Sequence, residues 1–334
     1  MVQRRLLELF LCPRCGAGLE GVPGGGVSGG GVPGGEGAAV VCAQGHRFPA
    51  DRGYLDFSGE TPPDATTART FESFGYEWNT FDDVRDEDAE FAQVYFRDLD
   101  LESLHGKVGL DAGCGKGRYT RFLAPHLDGL IALDGSSAVE AAARNLAAFP
   151  DVLVVRSDLR TVPIAPGRLD LVVCLGVLHH LADPRQGFRD LVRLLAPEGR
   201  ILVYLYSRPS TFGARRVALA AARILRAVTV RTPHPLLRVL SAPIAALLYV
   251  GVVRLGALGA RAGIGPLARL PMASYRGKSY RSLFLDTFDR LSAPVEHRYV
   301  WRELAPWFEE EGLVVDAARE EAGWFVLAHR GHQL

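Results

Sequence analysis

With 334 residues, 48% of them apolar, the chain is long enough for one α/β domain plus additions and for a sizeable buried core. Its 38 Lys and Arg cancel 38 Asp and Glu, but not locally: no acid lies between Glu198 and Asp286, a stretch with 14 cations, so the remainder is net negative by as much. Five cysteines, an odd total with three at ligand spacing, argue against a disulfide framework and for a reducing cytoplasm; the N-terminal Met-Val-Gln-Arg-Arg-Leu-Leu lacks the apolar run and cleavage site of an export signal.

Cys12-Pro-Arg-Cys15 and Cys42-Ala-Gln-Gly-His46 supply three thiolates and one imidazole from two knuckles, a closed tetrahedral set for structural zinc. A relict knuckle without metal, or simple burial of the cysteines, is the alternative. Between the knuckles Gly21 to Gly37 nearly repeats Gly-Val-Pro-Gly-Gly, has no apolar face to bury and reads as a flexible loop, so residues 1–57 form a small zinc-ribbon module. Residues 58–104 begin as a linker rich in Pro, Thr and Asp. An aromatic cluster follows, from Phe71 through Tyr76 to Trp78, then a helix capped by Asp88 with Phe91 and Tyr95, and Ala92 and Phe96, at i,i+4. These aromatics either cover a sheet edge or lie over a bound ligand.

Val108 to Ala112 is an apolar strand interrupted by Asp111, and Gly113, Gly115 and Gly117 follow at alternate positions. Such a turn from strand to helix lets a ligand approach the backbone. The spacing is not that of a dinucleotide site: Arg118 stands where a third glycine is wanted, and Asp111 would repel a pyrophosphate. A ligand with a cationic head fits better. Gly129 to Asp134 is a second strand ending in an acid 23 residues after Asp111, placed to accept hydrogen bonds from ribose hydroxyls. Val152 to Val155 is a third strand before Ser157-Asp158-Leu159, and Leu169 to Leu175 a fourth before Gly176-Val-Leu-His179-His180. Phe188 to Leu195 has helical spacing, Pro197-Glu-Gly199 breaks it, and Arg200 to Tyr206 is the fifth strand.

Taken together, the glycine turn, the second acid, the VLHHL segment and LLAPEGRIL resemble the class I S-adenosylmethionine-dependent methyltransferases, over residues 70–206 most fully. The resemblance implies an α/β fold with a Rossmann-like seven-stranded sheet of order 3-2-1-4-5-7-6. It also implies S-adenosylmethionine as cofactor, its aminocarboxypropyl end held by Asp111, Ala112, Gly113, Cys114, Gly115 and Gly117. Asp134, Gly135 and Ser136 would take the ribose, Asp158 and Leu159 the adenine, and Leu175 and Gly176 would complete the site. His179 and His180, on the loop the acceptor would approach, are the candidate bases, or else they pack and bond the backbone. The loop lacks the Asn/Asp-Pro-Pro-Tyr/Phe arrangement with which resembling enzymes grip a base amine. The knuckles, with Phe48 and Gly53-Tyr54, are similar to the N-terminal zinc module of bacterial large-subunit ribosomal RNA guanine methyltransferases.

Residues 105–206 are thus read as the cofactor-binding core, 207–285 as a basic, apolar helical insertion, and 286–334 as the rest of the core. In the insertion, Phe212 to Val228 places Arg215, Arg216, Arg223 and Arg226 on one arc and Val217, Ala221, Ile224 and Val228 opposite. Val239 to Val253 is uncharged for 15 residues, short of the roughly 20 that span a bilayer, so no transmembrane span is expected. It either packs on the core or lies on a membrane surface. Tyr280 to Pro294 reads as a connector, Val300 to Gly312 as a helix, and Leu313 to Ala317 and Trp324 to Ala328 as two closing strands.

The function expected is methyl transfer to a small-molecule or lipid- or phosphate-linked anionic acceptor by a cytoplasmic protein, with peripheral membrane contact through 207–285 open. An RNA methyltransferase is the alternative, disfavoured because the insertion is Arg, Ala and Leu with one Lys, not Lys interleaved with aromatics. A donor-binding protein without transfer is a third reading.

Overall fold

The computed structural model describes residues 2–21, 37–209, 214–268, 270 and 272–331. The glycine-rich loop expected between the knuckles falls mostly outside the described residues, as do Phe212 and the side chains of Arg215 and Val217. The chain divides into two compact units, residues 1–207 with 295–334, and residues 208–294.

In the first unit β1 (Leu19–Gly21), β2 (Ala39–Cys42) and β3 (Arg47–Pro49) make a small antiparallel sheet. The large sheet comprises β4 (Leu55–Asp56), β5 (Val108–Ala112), β6 (Gly129–Asp134), β7 (Val152–Arg156), β8 (Leu169–Leu175), β9 (Leu195–Tyr206), β10 (Leu313–Glu320) and β11 (Gly323–Arg330). Its order is β10-β11-β9-β8-β5-β6-β7-β4, parallel from β4 to β9 and antiparallel at β11 and β10. Counted from β5 as first, this reads 3-2-1-4-5-7-6, extended beyond the third strand by β4.

The central strands are continuous apolar runs because both faces are covered: Leu130, Ile131, Ala132 and Leu133 are all buried. On β10, at the opposite rim, half-buried and exposed residues alternate after buried Leu313. The expected break at Pro197-Glu198-Gly199 is instead part of β9, taken up by a register shift against β8 between Leu169 and Leu171. Glycine is required there, since a Cβ on Gly199 would stand 2.7 Å from the Leu169 carbonyl oxygen.

Helices α1 (Val2–Leu7), α2 (Ala65–Thr80), α3 (Asp86–Tyr95), α4 (Arg118–Leu123), α5 (Val139–Leu146) and α6 (Pro184–Val192) cover the core, as does the helix expected before the closing strands, Trp301–Glu310, which buries Leu304, Trp307 and Phe308. Asp64 caps α2, accepting from the Thr66 and Thr67 amides and the Thr67 hydroxyl. Asp88 is not the first residue of the α3 cap as expected. It lies one turn in and accepts from the Arg85 amide at 3.0 Å, the return half of a capping box.

Residues 1–57 do not fold apart from the sheet, so the boundary drawn at 57 is not a seam. Leu6, Phe10, Phe48, Leu55 and Phe57 share one apolar core with Leu110, Ile131 and Val155. The Leu11 amide donates to the Pro163 carbonyl, and the Ala165 amide to that of Leu9.

The second unit is helical. Its boundary is Pro294 and not 285, because the expected connector is a helix, Tyr280–Ser292, capped by Ser279 and burying Leu283, Phe288 and Leu291. Residues His234–Arg261 form one continuous helix of 28 residues, with a π-helical turn at Tyr249–Arg254. Pro243 lies inside it without ending it, so the helix extends beyond the uncharged run at both ends. By length and composition alone it suffices to cross a bilayer. On helix Ala214–Thr229 the apolar face faces outward, Ile224 and Val228 being 73% and 69% exposed, and of the arginines on the opposite arc Arg226 is buried, its Nε donating to the Arg290 carbonyl, while Arg216 and Arg223 are exposed.

Candidate functional site

The site is built where β5, β6, β7 and β8 end on the same side of the sheet. The chain leaves β5 through Gly113, Gly115 and Gly117, with φ of +85°, +55° and +82°, values that favour glycine. The Gly113 and Cys114 amides donate to the Leu133 carbonyl at 2.7 and 2.9 Å, tying the turn to β6. A Cβ on Gly113 would lie 2.3 Å from Val177.

The two acids are placed differently. Asp134 is half-buried at the tip of β6 and accepts from the Gly115 amide (3.0 Å), the Ser136 amide (2.8 Å) and the Ser136 hydroxyl (2.6 Å). It therefore sets the glycine turn while keeping partial access to solvent. The resemblance places Asp111 against the donor. It is instead sealed beneath the turn, 2% exposed, accepting from the Thr120 hydroxyl on α4 at 2.6 Å. Burial pushes its carboxyl up to about 6; the charge on nearby Asp134 adds to this, and the Thr120 hydrogen bond works against it. Ala112 and Cys114 are buried beside it, and Ser136 is buried behind Asp134.

A cavity of about 190 Å³ lies at the tips of β6 and β7, with Phe71, Gly135, Arg156, Ser157 and Asp158 among its walls. The Asp158 carboxylate is already engaged by Arg160, through Nε at 3.1 Å, Nη2 at 2.6 Å and the backbone amide at 2.9 Å. Leu159 is buried next to it, and Leu175 is buried at the end of β8, before Gly176 at φ +79°.

His179 and His180 are both buried. His179 stacks on Tyr206 with ring centroids 3.8 Å apart, and its carbonyl accepts from the His297 amide. The Nδ1 of His180 donates to the Val295 carbonyl at 2.7 Å, which leaves Nε2 as the basic nitrogen.

Helix α2 covers these parts. Phe71 touches Gly135 so closely that a Cβ there would come within 2.3 Å, Phe74 packs on His180 at 5.0 Å, and Trp78 lies over Gly115. Trp78 also faces Arg118 and Lys116, at 4.9 and 5.6 Å from the ring centre. Phe71, Phe74 and Trp78 share one helical face, and the sequence left open whether such aromatics cover a sheet edge or lie over a ligand. Thr120 and Arg160 carried no comparable signal.

Next to the cavity, whose walls include Pro13 and Glu60, Cys12, Cys15, Cys42 and His46 converge with all ligand atoms within 4.8 Å of one another. The Cys12 and Cys42 sulfurs each lie 3.4 Å from His46 Nδ1, and the Cys15 and Cys42 sulfurs are 3.7 Å apart. A tetrahedron with the bond lengths of zinc to sulfur and imidazole nitrogen has edges of about 3.5 to 3.8 Å. Burial pushes the Cys42 thiol up, but the Gln44 and His46 amides and the neighbouring thiols bring it down to about 6.

Residues 110–203 match a family profile described as a methyltransferase domain. The chain carries a methyltransferase domain. It is similar, at 37% identity over 105 residues, to an uncharacterised Synechococcus protein, covering 29% of this chain and 25% of that one. At 32% identity over 108 residues it is similar to a ubiquinone biosynthesis O-methyltransferase of Pseudomonas paraeruginosa, over 31% of this chain and 47% of that enzyme. The chain thus spans a quarter to about half the length of these curated relatives. Among solved structures, a Burkholderia thailandensis 1,6-didemethyltoxoflavin-N1-methyltransferase covers 88% of this chain, and 96% of its own length, at 12% identity and a TM-score of 0.48. The methyltransferase domain accounts for the strands from β5 to the greater part of β9.

Proposed function

We propose that the chain is an S-adenosylmethionine-dependent methyltransferase acting on a small-molecule or lipid- or phosphate-linked acceptor. The observation that carries this is Asp134: a half-open carboxylate at the tip of β6, bonded to the Gly115 amide of a three-glycine turn and standing next to the cavity at Gly135. Asp134 would accept the ribose hydroxyls, Gly113 to Gly117 the aminocarboxypropyl end, and the cavity by Ser157 and Asp158 the adenine. Asp111, beneath the turn, would contribute its charge without touching the donor. When bound, the donor supplies an electrophilic methyl group on a sulfonium, so the protein's task is to orient an acceptor and exclude water.

The residues fit the donor with one condition. At about 190 Å³ the cavity is smaller than the roughly 300 to 1,000 Å³ of ligand pockets, so it suits a ring and not a whole nucleoside. Phe71 on α2 is the aromatic wall that limits the cavity on the Gly135 side. His180, oriented through Nδ1, holds Nε2 ready to take a proton from an acceptor, and His179, stacked on Tyr206, backs it. The O-methyltransferase relatives support a small-molecule acceptor. An RNA acceptor is less well supported, since the exposed side chains of the 208–294 unit are largely aliphatic and give bases little to stack on.

We also propose that Cys12, Cys15, Cys42 and His46 hold a structural zinc ion, their spacing being that of a tetrahedral set. The test of the main reading is titration calorimetry of the full chain with S-adenosylmethionine and S-adenosylhomocysteine, followed by transfer of labelled methyl to a lipid extract and to total RNA. Binding with label in the organic phase is expected. Absence of binding to both compounds would overturn the donor, and label in RNA alone would overturn the acceptor class.

A further inference from the structure

The unit from 208 to 294 is built inside out for water. Of the large apolar side chains that are exposed among the described residues, all but Val94 and Val314 belong to it. On helix 234–261 a buried stripe runs through Leu237, Ser241, Ala245, Val253 and Gly256, and helix 280–292 packs against the 234–248 part. The opposite face should then be polar. It carries Leu236, Val239, Leu247, Val250 and Leu258, with Leu247 74% exposed. Helix 214–229 repeats the inversion with Ile224 and Val228.

Charge completes the pattern. Arg223, Arg231, Arg238, Arg254 and Arg261 are exposed in the same unit, and no acid occurs from residue 199 to 285. An apolar face rimmed with uncompensated cations is complementary to one surface above others. Acyl chains take the aliphatic side chains, anionic headgroups take the guanidinium groups, and arginine stems lie along the boundary between them. A second copy of the chain would instead bring two acid-free cationic rims together. A bilayer crossing is also a poorer match. Arg238 and Arg254 bracket an uncharged run of only 15 residues, about 23 Å of helix, against a hydrocarbon core of about 30 Å.

We propose that the 208–294 unit docks on an anionic membrane surface, its aliphatic face in the interfacial layer and its arginines at the level of the headgroup phosphates. The inference stands on this unit alone and does not depend on methyl transfer. Docking of this kind would hold the chain where lipid-linked acceptors reside.

The test is flotation of the full chain with vesicles of phosphatidylcholine alone or with phosphatidylglycerol. Flotation with the anionic vesicles is expected, falling at least tenfold on pure phosphatidylcholine and weakening with salt. The double variant Leu247→Asp, Val250→Asp, at exposed positions, is expected to lose binding at least tenfold, as is Arg238→Glu, Arg254→Glu. Unchanged melting by tryptophan fluorescence reports that the first unit stays folded, since Trp78, Trp301, Trp307 and Trp324 all lie in it. Failure of the unaltered chain to float with anionic vesicles overturns the proposal, as does undiminished binding by both variants. A vesicle-free dimer dissociated by Leu247→Asp assigns the face to a second copy, and retention through alkaline carbonate extraction assigns a bilayer crossing; either overturns it.

Discussion

Replacing Asp111 with Asn asks whether a buried acid beneath the glycine turn is held there at the expense of stability. The carboxyl is 2% exposed and, through burial, titrates near 6 in the folded chain, against 3.8 for a free Asp. The folded state therefore binds its proton more tightly than the unfolded state, so this group's stabilising contribution is full below pH 3.8 and lost as pH rises through 6. Two pKa units at 1.36 kcal/mol each put the penalty of the ionised form at about 3 kcal/mol at neutral pH. Asn does not ionise and can still accept from the Thr120 hydroxyl, so Asp111→Asn should be the more stable form at pH 8. Integrating the two titrations, its advantage should widen by about 1.4 kcal/mol between pH 5 and pH 8. Urea denaturation followed by tryptophan fluorescence measures this in the first unit, where all four tryptophans lie. A gap between the two proteins that stays constant from pH 5 to 8 would refute the reasoning, because Asp111 would then ionise as it does in the unfolded chain.

Asp134→Ala should weaken S-adenosylmethionine binding by about 1 to 3 kcal/mol through loss of charged hydrogen bonds, and wild-type affinity by calorimetry would remove its assignment to the ribose. Phe71→Ala, which takes away the ring lying on Gly135, should raise the dissociation constant of S-adenosylhomocysteine about tenfold, one aromatic contact being worth about 1.4 kcal/mol at most. Native mass spectrometry of the full chain should find one zinc ion; Cys42→Ser should abolish it and lower stability on the order of 4 kcal/mol, whereas unchanged urea midpoints after chelation would deny the metal a structural role.

The core was legible where burial on both sheet faces leaves an uninterrupted apolar run: β6 and β8 begin and end where their sequences indicate. Elsewhere the local signal was weaker than the tertiary one. Pro197, Glu198 and Gly199 look like a break, yet strand pairing accommodates them by a shift of register. Helix 280–292 was masked by Asp286, Asp289 and Arg290, which hide a regular apolar series at Leu283, Phe288 and Leu291. At the site, the acids at β5 and β6 could be located by position but not told apart. Whether a carboxylate faces water or a threonine depends on the helix packed beneath it, and nothing near Asp111 in sequence singles out Thr120. In the same way Arg160, two residues after Asp158, gives no hint in sequence that it occupies that carboxylate. The outward-facing aliphatic side chains of helix 214–229 reverse the burial its amphipathic pattern implies, since the buried side carries Arg226 and Thr229.

β4 is two residues long, yet it pairs with β7 through Leu55 and Asp56 and closes that side of the large sheet. Without it, the unpaired amides and carbonyls of Val152 to Arg156 would be a bare template for strands from other molecules. The segment that follows the cysteine knuckles therefore covers a sheet edge, a task separate from any ligand role of the cysteines. A form of the protein shortened to begin after residue 57 should aggregate before it can be assayed.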